Sequence, residues 1–86
     1  MAEHNLKTHP YFYSLVLTGV KKYEVRVNDK DYRQGDFLVL SEFHPVKKLL
    51  TGRRMLVKVT HVLHGGQYGI HIGWCILSIE VVKQVF

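Results

Sequence analysis

The chain has 86 residues, 47% of them apolar and 22% charged, with a formal net charge of +5. That length makes one small domain, 1–86, and the balance of apolar and charged residues excludes a disordered chain. Uninterrupted apolar runs such as Phe37–Leu40 fall far short of the ~20 residues of a membrane-spanning helix, and the first residues carry no secretory leader pattern. The single cysteine, Cys75, cannot close an internal disulfide, so a cytoplasmic protein with no membrane partner is expected, and the basic balance favours anionic partners.

Residues 4 to 7 are predicted as a first strand. Pro10 suits the first turn of a helix, where its missing N–H costs nothing. Phe12, Leu15, Val16 and Gly19 then follow one helical face, and Gly19 supplies the stop. A helix of roughly 10 residues cannot stand alone in water and must lean on a sheet. From Lys22 the period changes to two: Tyr23, Val25 and Val27 alternate with Lys22, Glu24 and Arg26, which predicts a strand with one apolar and one charged face. Asn28–Asp31 and Gln34–Asp36 are turn chemistry, leading into a strand over Phe37–Phe43. Pro45–Gly52 is expected as a basic loop or short helical turn and Arg53–Leu63 as a long strand. Gly65–Gly73 is a glycine-punctuated loop, and Trp74–Val82 is a final strand, apolar on both faces as a central strand is. The apolar tail Val81–Phe86 extends that strand or docks on a second copy of the chain, so a homodimer is among the expected partners. The sum is an α+β domain, a small barrel of about five to six strands with one principal helix between strands 1 and 2; an open sheet covered by the helix on one face is the alternative.

Residues 19 to 26 read Gly-Val-Lys-Lys-Tyr-Glu-Val-Arg, which resembles the G-x-K-x-x-E-x-R signature of ASCH domains, a branch of the PUA-like β-barrel superfamily. The flanks are similar too: His4-x-Leu6-Lys7 running into Pro10-Tyr11-Phe12, then Asn28–Tyr32, Gly35-Asp36 and Phe37–Leu40, and finally Gly73–Ile79. The arrangement is most similar to a small ASCH-like family of bacteria and their phages. The resemblance implies a PUA-like barrel with a cleft between helix and barrel that meets RNA or a nucleotide-like ligand. Glu24 and Arg26, two apart on a strand, project from one face. There a carboxylate accepts from amines or hydroxyls, and a guanidinium holds a phosphate or carboxylate. Lys7, Lys21, Glu24, Arg26, Asp31 and Tyr68 are the expected ligand-binding residues, with Tyr68 or Trp74 as a stacking platform. Without the resemblance, alternating Lys, Glu and Arg on a strand reads as a solvated, weakly paired face.

Some ASCH proteins are acetylcytidine amidohydrolases, with a Thr three residues after the motif lysine. Here Lys21 is retained and Glu24 takes the Thr position, which removes the hydroxyl. A small hydrolase acting on a modified nucleoside would have to use Lys21 and Glu24 for general acid–base work. His61, His64 and His71 lack the cysteine pair and the four convergent ligands of a structural zinc site, so neither metal nor cofactor is expected. Lys47, Lys48, Arg53 and Arg54 form the densest basic cluster, either a solvated loop or a track for a phosphate backbone outside the cleft.

Overall fold

A computed structural model describes residues 1–85. It contains β1 (Glu3–Thr8), α1 (Pro10–Leu17), β2 (Tyr23–Val27), β3 (Phe37–His44), β4 (Leu49–His64) and β5 (Trp74–Gln84). The strands form one curled sheet in the order β1-β3-β4-β5-β2. β1 and β3 run parallel; the other neighbours are antiparallel. The curl is a half-barrel rather than a closed one, because no backbone pairing joins the two edge strands, β1 and β2, among the described residues. No helix among them is long and apolar enough to cross a membrane.

α1 packs on the concave side, against β3 and β5. Pro10 stands in its first turn. Its buried face is Tyr13 and Val16, with Leu17 packed beside them, not the expected Phe12 face; both registers satisfy the i, i+3, i+4 rule, and Phe12 is left 45% exposed. The helix stops two residues before Gly19. The Thr18 hydroxyl bonds back to the Ser14 carbonyl (2.9 Å), and Gly19 then takes φ +80° to turn the chain toward β2.

The inward residues of β1, β3, β4 and β5 (Leu6, Leu38, Leu40, Met55, Val57, Val59, Cys75, Leu77, Ile79) close the core with Tyr13 and Val16. Burial raises the Cys75 thiol above its usual value. β5 is paired on both sides, by β4 and β2, but only its Cys75–Leu77–Ile79 face is buried, and Trp74, Val81 and Val82 are exposed. The basic loop or short helical turn expected over Pro45–Gly52 is shorter than that and gives way to strand. The turn is confined to residues 45–48, closed by the Lys48 N–H on the His44 carbonyl (2.8 Å), and Leu49 already starts β4. Leu49 and Leu50 pair with His44 and Phe43 despite being exposed, so pairing rather than burial defines this end of the strand.

β2 is turned inside out relative to an ordinary amphipathic strand. Tyr23, Val25 and Val27 are 46–48% exposed, whereas Glu24 is 4% exposed. The charged face points into the half-barrel, and the apolar face points out.

Candidate functional site

The reversal of β2 builds the site. Glu24 and Arg26, on one face of β2, point toward the unpaired seam between β2 and β1. The Arg26 guanidinium crosses that seam: its Nη2 donates to the Lys7 carbonyl (3.1 Å) and to the Thr8 hydroxyl (3.3 Å), and lies 3.3 Å from Glu24 Oε2. One side chain therefore takes the place of the missing strand-to-strand ladder. Lys21 comes from the turn after α1. Its ammonium donates to the Tyr23 carbonyl (2.6 Å) and stands 3.5 Å from Glu24 Oε1. It also faces the rings of Tyr23 (4.8 Å) and Phe12 (5.4 Å), a pair of cation–π contacts.

Around this triad lies a cleft of about 400 Å³, walled by the start of α1 (His9, Phe12), the end of β1 (Lys7, Thr8) and β2. Its size is ordinary for a small-ligand site. Size alone does not single it out, since other depressions on the surface reach 410 and 460 Å³. Its chemistry does. Glu24 Oε1 and Arg26 Nε are buried without a hydrogen-bond partner, one an acceptor and the other a donor, in a position where native proteins nearly always satisfy such groups. A carboxylate taken out of water between two cations at 3.3 and 3.5 Å is held, but it is not saturated.

The structure brings Lys7, Lys21, Glu24 and Arg26 to this cleft and leaves Asp31 and Tyr68 outside it. Asp31 pairs with Arg33 (2.7 Å) on the exposed turn after β2, beside a depression lined by His61 and His64. Tyr68 is 83% exposed at the tip of the 65–73 loop. That loop is folded on itself by the Gly66 N–H to Ile70 carbonyl bond (2.8 Å) rather than over the cleft. Trp74 lines a neighbouring hollow with Leu6, Val25 and Tyr32. The aromatic walls are instead Phe12 and Tyr23. Tyr23 belongs to the motif itself, and Phe12, which the helical apolar pattern places in the core, lines the cleft instead.

Two further buried carboxylates were not apparent as such in the sequence. Asp36 accepts from the Ala2 and Arg33 N–H groups and lies 2.9 Å from His4 Nε2. Burial pushes its carboxyl up, but the His4 hydrogen bond and the two backbone donors more than offset this, and the net shift is downward. Glu42 accepts from the Thr51 hydroxyl (2.7 Å) and lies 3.5 Å from Arg53, whose guanidinium covers the Tyr13 ring. Burial raises the Tyr13 phenol, with Arg53 partly offsetting it. These two groups are satisfied by the protein; Glu24 is not.

Fold and site together define a class: a small α+β half-barrel whose open seam is bridged by a buried acid–guanidinium pair under its helix. The chain belongs to the family described as a domain of unknown function, DUF3850, whose model matches residues 3–79. It is also similar to an uncharacterized 12.9 kDa protein in the GpA 3' region of Escherichia phage P2, at 39% identity over 59 residues, 69% of this chain and 52% of that protein. The chain thus spans about half the length of that curated relative.

Proposed function

We propose that this domain is a PUA-like module of the ASCH type that binds RNA or a nucleotide-like ligand in the seam cleft. The observation that carries the reading is the Glu24 carboxylate, held inward on β2 with one oxygen lacking a hydrogen bond, between aromatic walls. A nucleobase edge offers an amine donor to Glu24 Oε1, and its faces suit Phe12 and Tyr23. The ligand reaches Oε1 by displacing the Lys21 ammonium, and the three cations around the cleft attract its phosphate. A hydrolytic role for Lys21 is less well supported, since its ammonium is already engaged with the Tyr23 carbonyl, Glu24 and two rings.

The test is a calorimetric titration with AMP, CMP, GMP, UMP and short RNAs, repeated on Glu24→Gln. That variant keeps the shape and loses the charged acceptor. A hydrogen bond to a charged group contributes ~1.5–3 kcal/mol, so the affinity for the bound species is expected to fall about 10- to 100-fold. Unchanged affinity in the variant, with its fold intact by circular dichroism, removes the cleft from the account.

A further inference from the structure

The cleft has an exit, and the residues beyond it bear on whether its ligand is a free nucleotide or part of a chain. Lys7 stands at the rim. Its backbone carbonyl is the seam partner of Arg26, while its ammonium lies over the Phe43 ring (4.8 Å) on the outward side of the sheet. Lys7 is in register with Ser41 of β3, and Ser41 with Arg54 of β4. Their neighbours Leu6, Leu40 and Met55 fill the core, so this row faces outward. Three adjacent strands set its length at ~10 Å. Past Arg54 and Phe43 comes the exposed 45–48 turn with Lys47 and Lys48.

The ion pairs among the described residues engage Lys21, Arg26, Arg33, Arg53 and His4; Lys7, Lys47, Lys48 and Arg54 are in none of them. The nearby Glu42 points inward and is held by Thr51 and Arg53. Glu3, on the same outward face, is four residues along β1 from Lys7, ~13 Å away. Lys7 and Arg54 therefore form a short basic row at the cleft rim, flanked by an aromatic ring, and Lys47 and Lys48 stand further along the same hairpin, ~20 Å from Arg54.

We infer that the ligand of the cleft is one nucleotide of a single-stranded polynucleotide. Its backbone leaves over Lys7 and Phe43 and crosses β3 and β4 along Arg54 to Lys47 and Lys48. This rests on the cleft reading above and adds the class of ligand and its path. Positive charge beside a half-buried ring on the outward face fits single-strand binding, where phosphates meet cations and bases stack.

The experiment compares a fluorescein-labelled mixed-sequence decaribonucleotide with the four mononucleotides. Both are titrated into the wild type, Glu24→Gln and the triple variant Lys47→Gln/Lys48→Gln/Arg54→Gln, between 50 and 200 mM salt. Four phosphate contacts on a single strand give a log–log salt slope of about −3, roughly a 50-fold loss of affinity over that range. The triple variant is expected to flatten the slope to about −1 and leave mononucleotide affinity unchanged, while Glu24→Gln weakens both ligands. A decamer that binds no tighter than a mononucleotide, or a slope unmoved by the triple variant, overturns the track and leaves the cleft standing. Decamer binding insensitive to Glu24→Gln overturns the continuity of the two. Displacement of the decamer by poly-glutamate at equal charge reassigns the row to acidic polypeptides. A wild type that binds neither ligand ends both readings.

Discussion

Replacing Arg26 by alanine tests whether one side chain holds the open seam. The guanidinium makes two hydrogen bonds across it, at 3.1 and 3.3 Å, and is one of two cations beside Glu24, which is 4% exposed. Removing one partner of a buried pair costs up to ~3–5 kcal/mol, because the other charge is left behind. Lys21 remains 3.5 Å away, and Arg26 is partly solvated, with its side chain 23% exposed, which reduces the loss. About 2–4 kcal/mol is expected, against a total of roughly 4–13 kcal/mol for a domain of this length. Urea unfolding followed by Trp74 fluorescence measures it, and thermal unfolding should show a Tm lower by roughly 10–25 °C. Adding Glu24→Gln to Arg26→Ala should recover about 1 kcal/mol, since the stranded charge is then gone. An Arg26→Ala protein within about 0.5 kcal/mol of wild type would refute the seam argument.

Other consequences are as direct. A Cβ on Gly65 would collide with the backbone carbonyl oxygens of His71 and Trp74, so Gly65→Ala should cost well beyond the roughly 0.5 kcal/mol of an ordinary surface change and loosen the 65–73 loop in hydrogen exchange. Asp36 has a lowered carboxyl pKa in the fold, so its contribution is present above the unfolded value of ~3.9 and is lost as pH falls through the folded one. The urea midpoint should therefore drop on the acid side of about pH 4, and Asp36→Asn should flatten that drop. Val25→Thr should change stability by less than about 0.5 kcal/mol because Val25 is 47% exposed, whereas Leu77→Ala, across the ladder from Glu24 and fully buried, should cost about 2–5 kcal/mol. Equal costs would mean that β2 faces the other way.

Most of the strand pattern was legible because period-two alternation and glycine turns are local signals. β3, the core of β4 and β5 fall within a few residues of their expected bounds, and the helix lies between β1 and β2. What local pattern could not supply was orientation. Alternation at Tyr23–Val27 shows that two faces differ and does not say which turns inward. The apolar face would ordinarily be buried; the motif resemblance pointed to Glu24 and Arg26 instead, which is where the chain turns inward. The register of α1 was missed for a related reason. Tyr13 and Phe12 are adjacent aromatics, and the choice between them depends on the hollow beneath the helix. Tyr68 is expected at the site as a stacking aromatic in a glycine-rich loop and Asp31 as part of the turn that carries the resemblance, and the folds of their own turns carry both away. The seam itself is a property of the whole sheet order, β1 and β2 at opposite edges, which no short stretch encodes.

The most direct measurement of the central claim is carbon NMR of the glutamate side-chain carboxyls during titration with mononucleotides. The Glu24 carboxyl signal should move with ligand, in step with the ring signals of Phe12 and Tyr23, while those of Glu42 and Glu80 stay in place. A Glu24 signal that stays fixed while the ligand binds elsewhere, or no response at any glutamate up to millimolar nucleotide, contradicts it.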